Sequence, residues 1–159
     1  DSLESLKALA HDLKIDEYVW FTGFIPEADL MRYLSTADIG VDPDPSSPLN
    51  DVSTWIKIME YMAVEKPIVT FDLKETRYSA QDAALYVPPN DEAAFVRALV
   101  TLMVYEDLRK VLGRKGRERI ENELKWDIVK QNLLNAYTQC LRSGPEASAA
   151  AKARELSGR

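Results

Sequence analysis

The sequence predicts an α/β fold in which a parallel sheet is covered by helices on both faces. The chain has 159 residues, of which 46% are hydrophobic and 29% charged, and this suits one domain with a hydrophobic core. Short apolar segments alternate with helical patterns along the chain, as parallel sheets require. The helix predicted at residues 53–64 is apolar on nearly all sides, which is typical of a helix between layers.

The first part of the chain predicts two helices, two strands and a loop. Residues 2–14 carry a helical leucine stripe, and residues 18–23 (YVWFTG) are rich in β-branched and aromatic residues and predict a strand. Pro26 is placed to open a helix that reaches Thr36. Residues 38–42 (DIGVD) predict a short strand, which leads into a loop at residues 43–51 containing three prolines.

The second part continues the alternation of helices and strands. Residues 67–73 (PIVTFDL) and 84–88 (ALYVP) predict buried strands, separated by a polar loop or short helix at 74–82. Asn90 is expected to cap the next helix. Two further helices are expected at 106–123, with a break near Gly113, and at 126–141. Residues 1–142 thus form the predicted domain, and residues 143–159 form an Ala-rich tail, frayed helix or disordered.

Composition excludes several classes of function. The formal net charge of −6 and the pI of about 4.9 give no overall attraction for a nucleic acid. One cysteine, Cys140, and one histidine, His11, support neither an intrachain disulfide nor a Cys/His zinc cluster. We find no apolar run of membrane-spanning length and no signal peptide, so we expect a cytoplasmic protein, with peripheral membrane association left open.

The segment that contains the candidate functional residues follows the strand at 38–42. Ligands of open parallel sheets lie outside the carboxyl ends of the strands. The helix predicted after this loop starts at Ser53 and Thr54, and free N–H groups in a first helical turn attract anions. These hydroxyls could cap the helix, or they and the following amides could hold a phosphate.

Lys57 and Glu60 lie three residues apart on this predicted helix. A lysine there could neutralise phosphate charge, and the carboxylate one turn further could accept hydrogen bonds from ribose hydroxyls. The alternative is an ordinary ion pair within the helix, worth a few tenths of a kcal/mol. A carboxylate on so apolar a helix is costly to bury without partners, which favours a function for Glu60.

Three segments in this order, FTGFIPEADLMRYLSTADIGVDP, STWIKIMEYMAVEKPIVTFD and AALYVPPNDEAAFVRAL, resemble the family 4 retaining glycosyltransferases of the GT-B fold. The resemblance runs from Leu3 to Leu141. It implies a Rossmann-like domain that binds a nucleotide-diphosphate sugar and transfers the sugar with retention and without a metal ion or other cofactor. It also implies that an amino-terminal domain, expected to be missing here along with the first two strands, binds the acceptor.

The resemblance assigns roles to single residues. Glu60 matches the family's second glutamate, which contacts the ribose, and Ser53 and Thr54 match the helix start beside the diphosphate. The segment Gly23, Phe24 and Ile25 matches the lining of the base pocket. The family's first glutamate lies eight positions before the second, where this chain has Val52. The neighbouring Asp51 is therefore the candidate catalytic carboxylate.

Two other functions stay open at this stage. The altered first-glutamate position would suit a non-catalytic binding or assembly module. A receiver-type signalling domain needs paired acidic residues after a first strand, whereas Asp12, Asp16 and Glu17 lie on or after a helix.

With strands lost from the sheet, we expect the chain alone to be inactive and to self-associate through unpaired edges of the strands at 18–23 and 38–42.

Overall fold

The computed structural model describes residues 2–142, so the predicted tail at residues 143–159 lies outside the described residues. The chain divides into two compact units, Asp1–Tyr33 and Leu34–Arg159. The helices are α1 (Ser2–Asp12), α2 (Glu27–Thr36), α3 (Ile56–Ala63), α4 (Lys74–Ala80), α5 (Glu92–Val104), α6 (Glu106–Arg119) and α7 (Trp126–Arg142). The strands are β1 (Gly40–Asp42), β2 (Ile68–Phe71) and β3 (Ala84–Val87). None of these helices is long and apolar enough to cross a membrane.

The strand predicted at residues 18–23 does not form, and that prediction was wrong. Tyr18 closes a short 3₁₀ turn, Asp16–Tyr18, and the following residues are irregular. Trp20 packs edge-on against Tyr33, with ring centroids 5.5 Å apart. Aromatic residues with high β-propensity need a neighbouring strand to pair with, and here Tyr18 and Trp20 stay largely exposed.

The second unit contains the predicted parallel sheet, in the order β1-β2-β3. Gly40 pairs with Ile68, and Ile68 pairs with Ala84, so β2 is the central strand. All four residues of β2 are buried, as its apolar sequence predicts. The predicted parallel architecture is confirmed, although each strand is shorter than expected.

Alternate side chains of β2 supply two separate hydrophobic clusters, one on each face of the sheet. Val69 and Phe71 pack with Phe95 and Leu102 of α5. Ile68 packs on the opposite face with residues of α3 that include Ile58 and Met62. Helices therefore cover both faces. The helix α3 packs on the sheet through Ile58 and Met62, as predicted, but Ile56 is 73% exposed, so the helix is not buried on all sides.

Candidate functional site

The loop after β1 lies at the edge of the sheet where all three parallel strands end, the usual place for ligands in such folds. It contains a short 3₁₀ turn, Asn50–Val52, before α3 begins. Asn50 organises this loop, because its Nδ2 donates to the carbonyl of Pro45 at 2.8 Å and its N–H donates to Oγ of Ser47 at 3.1 Å. The loop thus has an internal hydrogen-bonded structure.

Ser46 joins this loop to the loop after β3. Its N–H donates to Oδ1 of Asn90 at 2.9 Å, and its hydroxyl donates to Oδ1 of Asp51 at 3.1 Å. The prediction that Asn90 caps α5 was wrong, because Asp91 is the cap and accepts from the N–H of Ala94 at 2.8 Å. Asn90 instead takes a left-handed backbone conformation, with φ of 63°, and its side chain holds Ser46.

Lys57, in the first turn of α3, pairs with two carboxylates of the strand and loop before it. Its Nζ lies 2.8 Å from Oδ1 of Asp42, the last residue of β1, and it also pairs with Asp44. Asp42 is 1% exposed, and its Oδ2 accepts a hydrogen bond of 3.3 Å from the hydroxyl of Thr70 on β2. Lys57 therefore does not form the alternative ion pair with Glu60 within its own helix.

The three charged groups shift one another's pKa. Burial raises the pKa of Asp42, and a hydrogen bond with the Asp44 carboxyl adds to this, against the lowering effect of Lys57. Burial acts in the same direction on Asp44, but hydrogen bonds to Asp42 and Lys57 outweigh it and lower the pKa of Asp44. Burial disfavours the charged form of Lys57, yet the two carboxylates raise its pKa. The ammonium of Lys57 therefore stays charged at neutral pH.

Ser53 and Thr54 lie before α3, so the prediction that the helix starts at them was wrong, and neither of them caps it. The helix begins at Ile56, and its N-cap residue, Trp55, offers no side-chain hydrogen bond. Ser53 donates instead to the carbonyl of Leu49 at 2.7 Å, and Thr54 donates to Oε2 of Glu75 at 3.2 Å. The Ser53 hydroxyl thus closes a turn within the loop, and the Thr54 hydroxyl joins the loop to α4. Their predicted contact with a diphosphate stays a prediction.

The two candidate carboxylates differ in their surroundings. Asp51 is half-buried and held by Ser46, whereas the Val52 side chain beside it is exposed. Glu60 is half-buried in the middle of α3, and its side chain makes no hydrogen bond or ion pair to another described residue. Among residues 2–142, Glu60 is thus a half-buried carboxylate without a side-chain partner.

The predicted base-pocket residues belong to the unit Asp1–Tyr33. Gly23 has a φ of +61°, a conformation that suits glycine, and no atom lies within 4 Å of where a Cβ would be. Phe24 is fully exposed and Ile25 is half-buried. Their contact with a nucleotide base stays a prediction.

A cleft of about 460 Å³ opens at the same edge of the sheet, on the face covered by α5. Its apolar walls include Phe71 at the end of β2 and Phe95 of α5, and Asn90 contributes a polar group. Two prolines of the loop after β1, Pro43 and Pro45, form another wall. The loop that carries Asp51 therefore also shapes this cleft.

Sequence reasoning missed three residues that hold this edge together, Asp42, Asp44 and Ser46, and gave a fourth, Asn90, a different role. The signal available was the pair Asp42 and Asp44 at the end of a predicted strand, because carboxylates at that place repel an anion unless a cation pairs with them. The partner of Ser46 lies 44 positions away, and only the parallel register brings the two residues together.

Comparison with known proteins identifies a family whose model matches most of the chain. A family model described as "Glycosyl transferases group 1" matches residues 1–104. The chain is 27% identical over 136 residues to the phosphatidyl-myo-inositol mannosyltransferase of Mycobacterium leprae, covering 84% of this chain and 35% of that protein. It is 24% identical over 135 residues to a GDP-mannose-dependent alpha-(1-6)-phosphatidylinositol monomannoside mannosyltransferase of Mycobacterium tuberculosis, covering 82% and 35%.

Two solved structures share the fold. Sucrose-phosphate synthase from Thermosynechococcus elongatus superposes with a TM-score of 0.79 at 22% identity, over 89% of this chain and 35% of that one. WaaG, a glycosyltransferase involved in lipopolysaccharide biosynthesis, gives a TM-score of 0.67 at 16% identity, over 81% and 34%. The expected GT-B glycosyltransferase architecture is confirmed, and the chain spans about a third of the length of these proteins.

Proposed function

Because the chain belongs to the group 1 glycosyltransferases, we propose that it binds the donor in a retaining enzyme that transfers a sugar from a nucleotide diphosphate to an acceptor hydroxyl. The donor lies at the carboxyl edge of the sheet, where the loop after β1 meets α3. The acceptor is held by another part of the full-length enzyme, and this chain alone is inactive.

The observation that carries the proposal is the state of Glu60. Its side chain is half-buried on an apolar helix, and within the described part of the chain it has no hydrogen-bonding partner. A desolvated carboxylate without partners is costly, and the two vicinal hydroxyls of a ribose would supply the missing donors. The position also matches the ribose-binding glutamate implied by the family resemblance.

The transfer itself is a front-face displacement in which positioning supplies most of the rate. The enzyme holds the acceptor hydroxyl against the anomeric carbon, and contacts to the diphosphate stabilise the leaving nucleotide without a metal ion. Asp51 takes the role of the absent first glutamate and faces the donor sugar. Its hydrogen bond from Ser46 fixes the carboxylate in one orientation, which supports such a role.

The names of two relatives suggest which donor to test first. One is described as GDP-mannose-dependent, and both are mannosyltransferases with phosphatidylinositol-type acceptors in their names. We therefore propose a hexose donor such as GDP-mannose and a hydroxyl acceptor presented at a membrane. The enzyme would work at the cytoplasmic side as a peripheral protein, and the isolated chain would self-associate along the open edge of β1.

One specific observation favours a second function, a non-catalytic binding module. The position of the first glutamate carries Val52, whose side chain is 67% exposed and offers no chemistry to a sugar. A module of this kind would bind the nucleotide diphosphate without turning over the sugar nucleotide. The transferase family match speaks against the receiver-type alternative.

Calorimetry on the full-length protein tests donor binding, with GDP and GDP-mannose as ligands. Glu60→Gln should keep the fold and weaken binding by about 1–3 kcal/mol, the cost of disrupting hydrogen bonds to a charged group. Glu118→Gln, which changes an exposed glutamate of α6, serves as the matched control and should bind normally. Unchanged affinity in a folded Glu60→Gln protein would remove Glu60 from the site.

A further inference from the structure

Lys57 forms ion pairs with two carboxylates of its own chain, and this argues against the phosphate-binding role that its position in the sequence suggests. A lysine one turn into a phosphate-facing helix predicts a phosphate contact. In the structure its ammonium is held between the carboxylates of Asp42 and Asp44, and its side chain is 34% exposed. A diphosphate would have to compete with two carboxylates already in place.

The three residues lie at the two ends of one loop. Asp42 ends β1, Asp44 is in the loop two residues later, and Lys57 lies in the first turn of α3. Their ion pairs therefore close a loop of about a dozen residues, and it is the loop that carries Asp51. Closing the ends limits how far the loop can move relative to the sheet.

A second connection continues from this closed loop. Ser46 donates to Asp51 and to Asn90, so the Asp51 carboxylate is fixed both to its own loop and to the loop after β3. Lys57 also lies 5.2 Å from the centre of the Trp55 ring, a cation–π contact at the N-cap of α3. The loop start, the loop end and the helix start are thus joined through one ammonium group.

We propose that Lys57, with Asp42 and Asp44, is a positioning residue of the transferase and not a ligand of the diphosphate. This inference rests on the proposed function, because the geometry it protects is that of Asp51 relative to the donor sugar. Removing the ammonium leaves the acidic side chains of Asp42 and Asp44 without their counter-charge, and the loop loses the contact that closes its two ends.

The Asp44→Asn variant separates the two roles of Lys57. If Lys57 bound phosphate, this substitution would free the ammonium, and GDP affinity would hold or improve. If Lys57 positions the loop, the substitution loosens it, and turnover falls while GDP affinity holds. Lys57→Met would weaken GDP binding in the first case and lower kcat in the second.

We would measure kcat for GDP-mannose and the Kd for GDP on the full-length enzyme. For Lys57→Met we expect kcat to fall about tenfold or more, because small displacements of reacting groups are costly, with the Kd for GDP within about twofold. Asp44→Asn should lower kcat in the same direction, and the double variant should be no worse than Lys57→Met, because the residues act as one unit. Lys57→Arg should restore part of kcat.

The matched control is the exposed pair Lys115–Asp82, whose charged groups lie 3.5 Å apart. Lys115→Met and Asp82→Asn should leave kcat and Kd unchanged. A tenfold weaker Kd for GDP in Lys57→Met, with normal kcat and Kd in Asp44→Asn, would overturn the proposal.

If the unmodified enzyme does not turn over GDP-mannose, that result counts against the proposed function with this donor. In that case the melting temperatures of the Lys57→Met, Asp44→Asn and double variants test whether the residues act as one unit. A loss in the double variant equal to the sum of the two single losses would refute the proposal.

Discussion

Gly113 of α6 lies directly against the backbone carbonyl oxygen of Glu65, so close that a Cβ on Gly113 would overlap that oxygen. One turn further, a Cβ on Gly116 would lie 2.9 Å from Cγ of Met62. The sequence predicts a helix break near Gly113, but α6 continues through it, and that prediction was wrong. The glycines serve close packing of α6 on the end of α3.

Gly113→Ala should therefore destabilise the protein, although alanine favours helices by about 1 kcal/mol over glycine. The overlap is with backbone, which cannot rotate away, so we expect a net loss of about 1–3 kcal/mol in the free energy of unfolding. Urea denaturation of the full-length protein measures it. Arg114→Ala, at the neighbouring exposed position, is the control and should change little, and a Gly113→Ala protein of normal or greater stability would contradict the contact.

Asp51→Asn should lower turnover of the sugar nucleotide while affinity for the bare nucleotide diphosphate stays nearly intact. The reason is that the carboxylate is proposed to face the sugar and not the nucleotide. We expect kcat to fall about tenfold or more, equivalent to about 1.4 kcal/mol in the activation barrier. Steady-state kinetics and GDP calorimetry on one preparation provide both values, and an equal loss for both ligands would reject this role.

Tyr86 should make stability depend on alkaline pH. Burial raises the pKa of its phenol to about 12. The unfolded chain loses this proton near pH 10, so the folded state binds it more tightly. The resulting stability is fully present below pH 10 and is lost as the pH rises to about 12.

The comparison variant is Tyr86→Phe, which has no proton to lose at this position. It also removes the 2.7 Å hydrogen bond to the carbonyl of Gln81, so it starts less stable at neutral pH. The difference in unfolding free energy between the two proteins should shrink between pH 10 and pH 12. A difference that stays constant across this range would show that the phenol titrates normally in the folded state.

Self-association of the isolated chain should use the open side of β1, which pairs only with β2 among the described strands. The N–H of Gly40 donates toward β2, so the N–H of Val41 points to the open side. Sedimentation at micromolar concentration should show oligomers, and Val41→Pro, which removes this donor, should reduce them. A well-folded monomer of the unmodified chain would contradict the prediction.

Much of the sheet could be predicted because its strands are continuous apolar runs. Residues 67–73 and 84–88 have few polar positions, and both form strands in the predicted places. The segment at residues 18–23 has equal β-propensity but does not form a strand, since strand formation depends on a partner that the local sequence does not specify. The predicted start of α3 at Ser53 and Thr54 failed for another reason, because their hydroxyls bond to Leu49 and Glu75 and not to the first turn of the helix.

The sequence predicts that the loop with the candidate residues lies at the carboxyl edge of the sheet, but it does not predict the contacts of these residues. The carboxyl edge of the sheet follows from the parallel order, which the alternating pattern already indicates. The partners of Lys57 could not be chosen from the sequence, because Glu60, Asp44 and Asp42 are all within reach of a long flexible side chain. The packing of α3 against the sheet decides among them, because it brings Lys57 to Asp42 and Asp44.

The pairing of Lys57 with two carboxylates also determines the electric field at this edge. From Asp42 to Lys57 the chain carries three carboxylates and one ammonium, a formal charge of −2. Such a segment repels a diphosphate at long range. It can still accept hydrogen bonds from the uncharged parts of a donor, namely its ribose and sugar hydroxyls. Attraction for the diphosphate must come from cations outside this segment, and donor affinity should therefore depend on ionic strength through those groups and not through Lys57.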